Sequence, residues 1–328
     1  MKYILIDASN LFWRMRHMSH KQTTTHDKLG FCLHTTLNSV AKVWREQKAN
    51  HVVFAFEGRS WRKDFYPPYK KNREVNNVDL SDAEIAESTL FYDTYNELVD
   101  FVVNKTNCTT LHHPELEADD LIAGWIASHP NDEHVIVSSD TDFYQLIASN
   151  VTQYNGITDE TITLNGFFNY KGKPIIDKKT KTNKLLGDPQ WILFEKCMRG
   201  DPTDNVFSAY PGVRKKGTKN KVGLLEAYSD KGRKGYNWNN LMLQQFLHHD
   251  GTEHRVLDDY NRNVTLIDLS AQLPEIKLII NQTIAANSYI KNVPQIGSHF
   301  LKFCGKHQLI KLSERADMFA QILAAAYK

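Results

Sequence analysis

The alternation of short β-branched runs with longer helical patterns leaves this chain few folds. Four runs, Tyr3–Ile6, His51–Phe56, Thr109–His112 and His134–Ser138, have the length and composition of buried parallel strands. Between the first two, Leu33, Leu37, Val40 and Trp44 recur at helical spacing within a pattern from about Leu29 to Gln47. A second helix is expected from about Asp82 to Val103, with Ser81 as its N-cap and Glu84 three positions on. A third, Ala118–Ala127, follows the strand at 109–112. Strands alternating with helices predict an α/β domain with a central, mostly parallel sheet flanked by helices.

Acids stand in register with those strands. Asp7 directly follows the first, Glu57 the second, and Asp140 lies just beyond the fourth. Open α/β sheets bind ligands at the carboxyl ends of their strands, so these side chains are expected at one edge. Further acids come in Glu117-Ala-Asp119-Asp120, Asp140-Thr-Asp142 and Asp201-Pro-Thr-Asp204. Each group alone has an ordinary reading, as first-turn helix acids or as turn residues. Gathered together they would repel one another unless cations or hydrogen bonds compensated. An oxygen-only set without nearby Cys or His suits magnesium or manganese rather than zinc. Two such ions about 4 Å apart can activate a water and stabilise the leaving oxygen of a phosphodiester.

Charge bears on that reading. The chain has 40 basic and 38 acidic residues, a net charge of +2. Setting aside nine acids for one metal site leaves 29 acids against 40 bases, a surface that attracts a polyanion. Four dispersed cysteines with no CxxC pair indicate neither a zinc site nor a disulfide framework, and point to a reducing, intracellular compartment. The brief apolar start before Asp7 reads as a strand rather than a signal peptide, and no stretch is long enough to span a bilayer.

Two segments have the make-up of nucleic-acid contacts. Trp61 to Arg73 interleaves Arg62, Lys63, Lys70, Lys71 and Arg73 with Phe65, Tyr66 and Tyr69, a mixture suited to phosphate neutralisation and base stacking. Pro211 to Gly223 places Arg214, Lys215, Lys216, Gly217, Lys219 and Lys221 between two helices, where glycines admit a phosphate close to the backbone. Residues 170–184 form a separate basic, exposed hairpin or loop. The later part, with helices expected at Pro189–Met198 and from about Val222 to Tyr228, is mostly helical.

The order of Asp after the first strand, Glu-Ala-Asp-Asp, Ser-Ser-Asp-Thr-Asp and Gly-Asp-x-x-Asp-Asn resembles the 5′ nuclease family. That family includes flap endonucleases, the 5′ nuclease domain of bacterial DNA polymerase I and bacteriophage ribonuclease H enzymes, and the match spans about residues 3 to 223. The resemblance implies a PIN-like nuclease core over 1–185, with an arch region at 60–103. A helical part over 186–328 would contain a helix–three-turn–helix DNA clamp. It implies two Mg2+ ions, with Mn2+ as a substitute. Asp7, Glu117, Asp119 and Asp120 would serve the first ion. Asp142, Asp201 and Asp204 would serve the second, with Asp140 between the two. Glu57 would be a further ligand, its longer carboxylate arm standing where the family usually has Asp. Lys70 is the matching electrophilic lysine, Arg62 and Arg73 grip phosphates, Tyr69 stacks on a base and Arg14 contacts the 5′ strand; Asn10 matches the opening motif or caps its helix. Substrates would be 5′ flaps, nicked or branched duplex DNA and RNA–DNA hybrid. The setting would be replication or repair inside a bacterial host, as a monomer working beside replication proteins. A non-catalytic DNA junction binder with the same fold is the alternative.

Overall fold

The computed structural model describes residues 1–75, 81–210, 223–247 and 251–328. Its main sheet contains β1 (Lys2–Asp7), β2 (His51–Ala55), β3 (Thr109–Leu111), β4 (Glu133–Val137), β5 (Val151–Asn155), β6 (Glu160–Thr163) and β7 (Gly166–Asn169). The strand order is β3-β2-β1-β4-β5-β6-β7, parallel from β3 to β5 and antiparallel at β6 and β7. The first four strands match the runs read from the sequence to within a residue or two. The others are additional, because they mix buried and half-exposed positions and so lack a continuous apolar run.

Alternation sorts β1 between two faces. Ile4 and Ile6 join a core with Leu33, Leu37, Phe101 and Phe319. On the other face Tyr3 meets Trp125 of the helix Ala118–Ser128 edge-on at 5.3 Å. The helix Pro274–Asn287 crosses that helix closely because residue 124 is glycine; a Cβ there would stand 2.3 Å from Ile280 Cγ2. The helix Asp82–Lys105 opens with the expected reciprocal cap: Ser81 N–H donates to Glu84 Oε2 at 2.8 Å and Glu84 N–H donates to Ser81 Oγ at 3.4 Å. The helix Thr25–Gln47 begins earlier than its apolar pattern, because the Thr24 hydroxyl caps it by accepting from Asp27 N–H at 3.1 Å.

Two compact units divide the chain. One comprises Met1–Arg59, Leu80–Leu186 and Leu278–Lys328; the other comprises Ser60–Asp79 and Gly187–Lys277. One break falls between Leu186 and Gly187, and two segments are grouped away from their neighbours in sequence. Ser60–Asp79 goes with the second unit because Tyr69 and Tyr66 pack against Phe194, Met198 and Leu266. Leu278–Lys328 goes with the first because Phe300, Phe319 and Leu323 fill the core on the sheet. Within the second unit, buried Asn263 donates from Nδ2 to the carbonyls of Cys197 and Phe207, both at 2.8 Å. No helix among the described residues is long and apolar enough to cross a membrane.

Candidate metal centre

Asp7 ends β1 and caps the helix Ala8–Met18, its Oδ1 accepting from Asn10 N–H at 3.1 Å. Its Oδ2 accepts the Ser138 hydroxyl at 2.9 Å from just past the neighbouring β4. That hydroxyl in turn accepts Asp140 N–H at 3.1 Å, and Asp140 Oδ1 accepts Asp142 N–H at 3.0 Å. Asn10 Oδ1 holds the same loop through Ser139 N–H and Oγ, at 3.2 and 2.9 Å. From β5, buried Gln153 donates to the carbonyls of Ser138 and Asp140, at 2.9 and 2.7 Å. A short polar network therefore links Asp7, Asp140 and Asp142.

A tighter acidic group stands at the start of the helix Ala118–Ser128. Glu117, Asp119 and Asp120 each present a carboxylate oxygen, and these oxygens lie within 4.8 Å of one another. Glu117 is 2% exposed and Asp120 is fully buried. Such a group is stabilised by a cation, and its all-oxygen donor set fits a hard divalent ion. The helix start also places a positive dipole end beside the acids. Glu57 Oε2 accepts Ala118 N–H at 3.1 Å, so the acid after β2 fixes the entry to this helix. Tyr95 lies against the same edge: burial, with added repulsion from Asp7 and Glu57, pushes its phenol above its ordinary pKa. The Tyr95 hydroxyl lies 3.0 Å from Ser9 Oγ.

Asp201 and Asp204 sit in the second unit, in one tight loop. Gly200 at φ +72° ends the helix Pro189–Arg199, where a Cβ would stand 2.3 Å from the Val206 carbonyl. Asp201 and Val206 then exchange backbone hydrogen bonds of 2.9 and 2.8 Å. Burial pushes the Asp201 carboxyl up, but Lys196 at 2.8 Å and the N–H groups of Thr203 and Asp204 outweigh it and hold the pKa below its ordinary value. Asp204 is met by the segment read as an arch entrance. Arg73 donates to its Oδ1 at 2.6 Å, Tyr69 OH donates to Oδ2 at 3.0 Å, and Lys70 Nζ lies 3.6 Å away.

Two residues of that segment differ from expectation. Tyr69 is 4% exposed and packs in the core of its unit, so its ring is not offered to a base. Arg62 is also buried, with Nε donating to the Leu266 carbonyl at 2.8 Å, the placement of an anchor rather than an open phosphate contact. Arg14, Lys71 and Arg73 are exposed and Lys63 is half-exposed. Arg214, Lys215, Lys216, Gly217, Lys219 and Lys221 lie outside the described residues. The supports Ser138, Gln153, Tyr95 and Lys196 were not singled out from sequence; only the Ser-Ser before Asp140 hinted at one of them.

Comparison with known proteins bears on this arrangement. A family model described as the 5'-3' exonuclease, N-terminal resolvase-like domain matches residues 2–172. Flap endonuclease Xni of Pseudoalteromonas translucida is 25% identical over 285 residues, covering 85% of this chain and 94% of that protein. DNA polymerase I of Rhizobium leguminosarum is 27% identical over 243 residues, which cover 69% of this chain but only 20% of the polymerase. Among solved structures, a bacteriophage T5 flap endonuclease in a pseudo-enzyme-product complex with DNA and metal ions superimposes with a TM-score of 0.56. It is 16% identical, and the match covers 87% of this chain and 98% of that one, a likeness of fold.

Proposed function

The chain belongs to the 5′-3′ exonuclease family, and from that premise we propose that it is a structure-specific 5′ nuclease cutting phosphodiesters near 5′ single-strand/double-strand junctions. One observation carries the reading: three carboxylates, two of them buried, share a single helix start that is held by Glu57 just past β2, the neighbour of the strand that ends in Asp7. Glu117, Asp119, Asp120 and Asp7 would hold one Mg2+ ion. The assignment of Asp142, Asp201 and Asp204 to a second ion, with Asp140 between the two, rests on the order of the motifs. When bound, such ions supply the Lewis acidity and charge neutralisation that phosphodiester hydrolysis needs. Glu57 acts through the Ala118 N–H, orienting the acidic group. The Lys70 ammonium offsets charge that develops on the scissile phosphate. Exposed Arg14, Lys71 and Arg73, with Lys63, contact neighbouring phosphates, which position a substrate without reading its sequence. The products are a 5′-phosphate and a 3′-hydroxyl. Substrates are 5′ flaps, nicked or branched DNA and RNA–DNA hybrid in primer removal or repair.

The test is cleavage of a 5′-flap substrate with and without Mg2+ by wild type, Glu117→Gln, Asp142→Asn and Asp201→Asn. Metal-dependent cutting by wild type, lost or much slowed in the variants, is expected. Equal rates in all four would defeat the assignment, and tight binding without turnover would mark a junction-binding protein instead.

A further inference from the structure

The far end of the sheet carries a cationic turn that the proposed chemistry does not use. Ile6, Val137, Tyr154, Thr161 and Phe168 form one cross-strand row from β1 to β7. One position on, Asn155, Glu160 and Asn169 continue along the edge where Asp7 stands. Four strand spacings of about 4.8 Å separate β1 from β7, and three separate β4 from β7. Asn169 thus stands roughly 14–19 Å along that edge from Asp7 and the residues after β4.

The turn after Asn169 is held in place. Asn169 Oδ1 accepts from Lys171 N–H at 2.9 Å and Lys173 N–H at 3.1 Å, and Gly172 N–H donates to the Asn169 carbonyl at 2.9 Å. Gly172 has φ +69°, which suits glycine at this corner. The returning chain pairs back on β7, with Ile175 N–H donating to Phe167 O at 2.8 Å. Lys171 and Lys173 are exposed and make no salt bridge among the described residues. Tyr170 between β7 and these lysines is 61% exposed, with Lys171 Nζ 5.2 Å from its ring centre. No acid lies in the turn.

We propose that Tyr170–Lys173 is a contact for the phosphate backbone of duplex nucleic acid, away from the acidic group that would cut it. The proposal rests on the nuclease reading and adds to it a second point of attachment. Lysine ammoniums are point charges that bind phosphate without reading bases. At 3.4 Å of rise per nucleotide in one strand, 14–19 Å corresponds to about four to six nucleotides from the cleavage position. An ordered turn loses less freedom on binding than a loose loop does. The same hairpin supplies its own control. A second turn, from Asp177 to Lys181, hangs beyond the opposite, amino-terminal end of β7 and exposes Lys178, Lys179 and Lys181. It carries one more lysine on the wrong edge.

The experiment measures binding of a labelled 5′-flap duplex in EDTA across a series of NaCl concentrations, for wild type, K171Q/K173Q and K178Q/K179Q/K181Q. Each phosphate contact contributes about 0.9 to the slope of log affinity against log salt, so K171Q/K173Q should flatten the slope by about two. The triple variant should keep the wild-type slope. Neutral methylphosphonate linkages four to six nucleotides from the cut should weaken wild type but not K171Q/K173Q. An unchanged slope in K171Q/K173Q overturns the proposal, and so does an equal fall in both variants, which would show diffuse attraction. Cleavage by wild type in Mg2+ is followed in parallel. A wild type that binds without cutting sinks the nuclease reading alone, and the slopes then still judge the turn.

Discussion

The Ser138 hydroxyl donates to Asp7 Oδ2 at 2.9 Å and accepts Asp140 N–H at 3.1 Å, so a single buried oxygen joins the ends of two neighbouring strands. Ser138→Ala strips a partner from each. Leaving buried polar groups unmade costs about 1–3 kcal/mol, and a loss in that range is expected in urea unfolding. Mn2+ affinity, followed by EPR, should fall with it. Wild-type values for both would show that this link positions nothing.

Lys70 separates backbone from side chain. Its φ is +55°, a left-handed conformation costly for any residue with a Cβ, and its N–H donates to the Asp204 carbonyl at 2.8 Å. Lys70→Gly keeps that donor and relieves the strain, so the unfolding free energy measured in urea should hold within about 1 kcal/mol. Single-turnover cleavage should slow roughly 10²–10³-fold, the usual loss for one preorganised charge at a transition state. A variant that cuts at the wild-type rate would remove Lys70 from the chemistry.

Gly58 is confined by backbone. A Cβ there would lie 2.1 Å from the His113 carbonyl oxygen and 2.8 Å from that of Leu116, and neither can swing aside as a side chain tip could. Gly58→Ala must therefore displace the loop carrying Glu57, or the approach to Glu117. Destabilisation above about 2 kcal/mol is expected in thermal or urea melts, with loss of the Mn2+-induced rise in melting temperature.

His51 makes stability sensitive to pH. Burial, with added repulsion from Lys291, outweighs the Ala325 carbonyl hydrogen bond and lowers its pKa to about 4. Its Nε2 accepts Thr109 N–H at 3.2 Å, a role that protonation abolishes. The unfolded chain takes up this proton near pH 6.5, so the contribution is complete above that pH and is lost as pH falls through about 4. A gap of that size is worth about 3 kcal/mol. Other histidines also titrate here, so the reading is a difference: His51→Gln should show a flatter fall in urea stability between pH 7 and pH 4. Parallel curves for the two proteins would refute it.

The acids at strand ends were legible because parallel strands buried on both faces read as unbroken apolar runs, and Asp7 and Glu57 stand directly behind two of them. Glu117, Asp119 and Asp120 could be placed once Thr109–Leu111 was read as a strand. Ser138 and Gln153 could not be read in the same way, since their hydrogen bonds depend on which strands become neighbours. Arg62 and Tyr69 show a different limit. An arginine and a tyrosine in a basic, aromatic segment have one composition whether they face water or core, and packing buried both. The grouping of Ser60–Asp79 with Gly187–Lys277 joins segments more than a hundred positions apart, which local pattern does not report.

That discontinuity has a consequence for synthesis. The strand carrying His51 and the turn before β3 are clasped by Leu323, Ala324 and Ala325: Asn107 N–H donates to Leu323 O at 2.8 Å, and Asn107 Nδ2 to Ala324 O at 2.9 Å. A nascent chain on the ribosome holds its acidic strand ends long before this clasp is translated. The lobe that would cut nucleic acid thus completes its packing only after the second unit has been made.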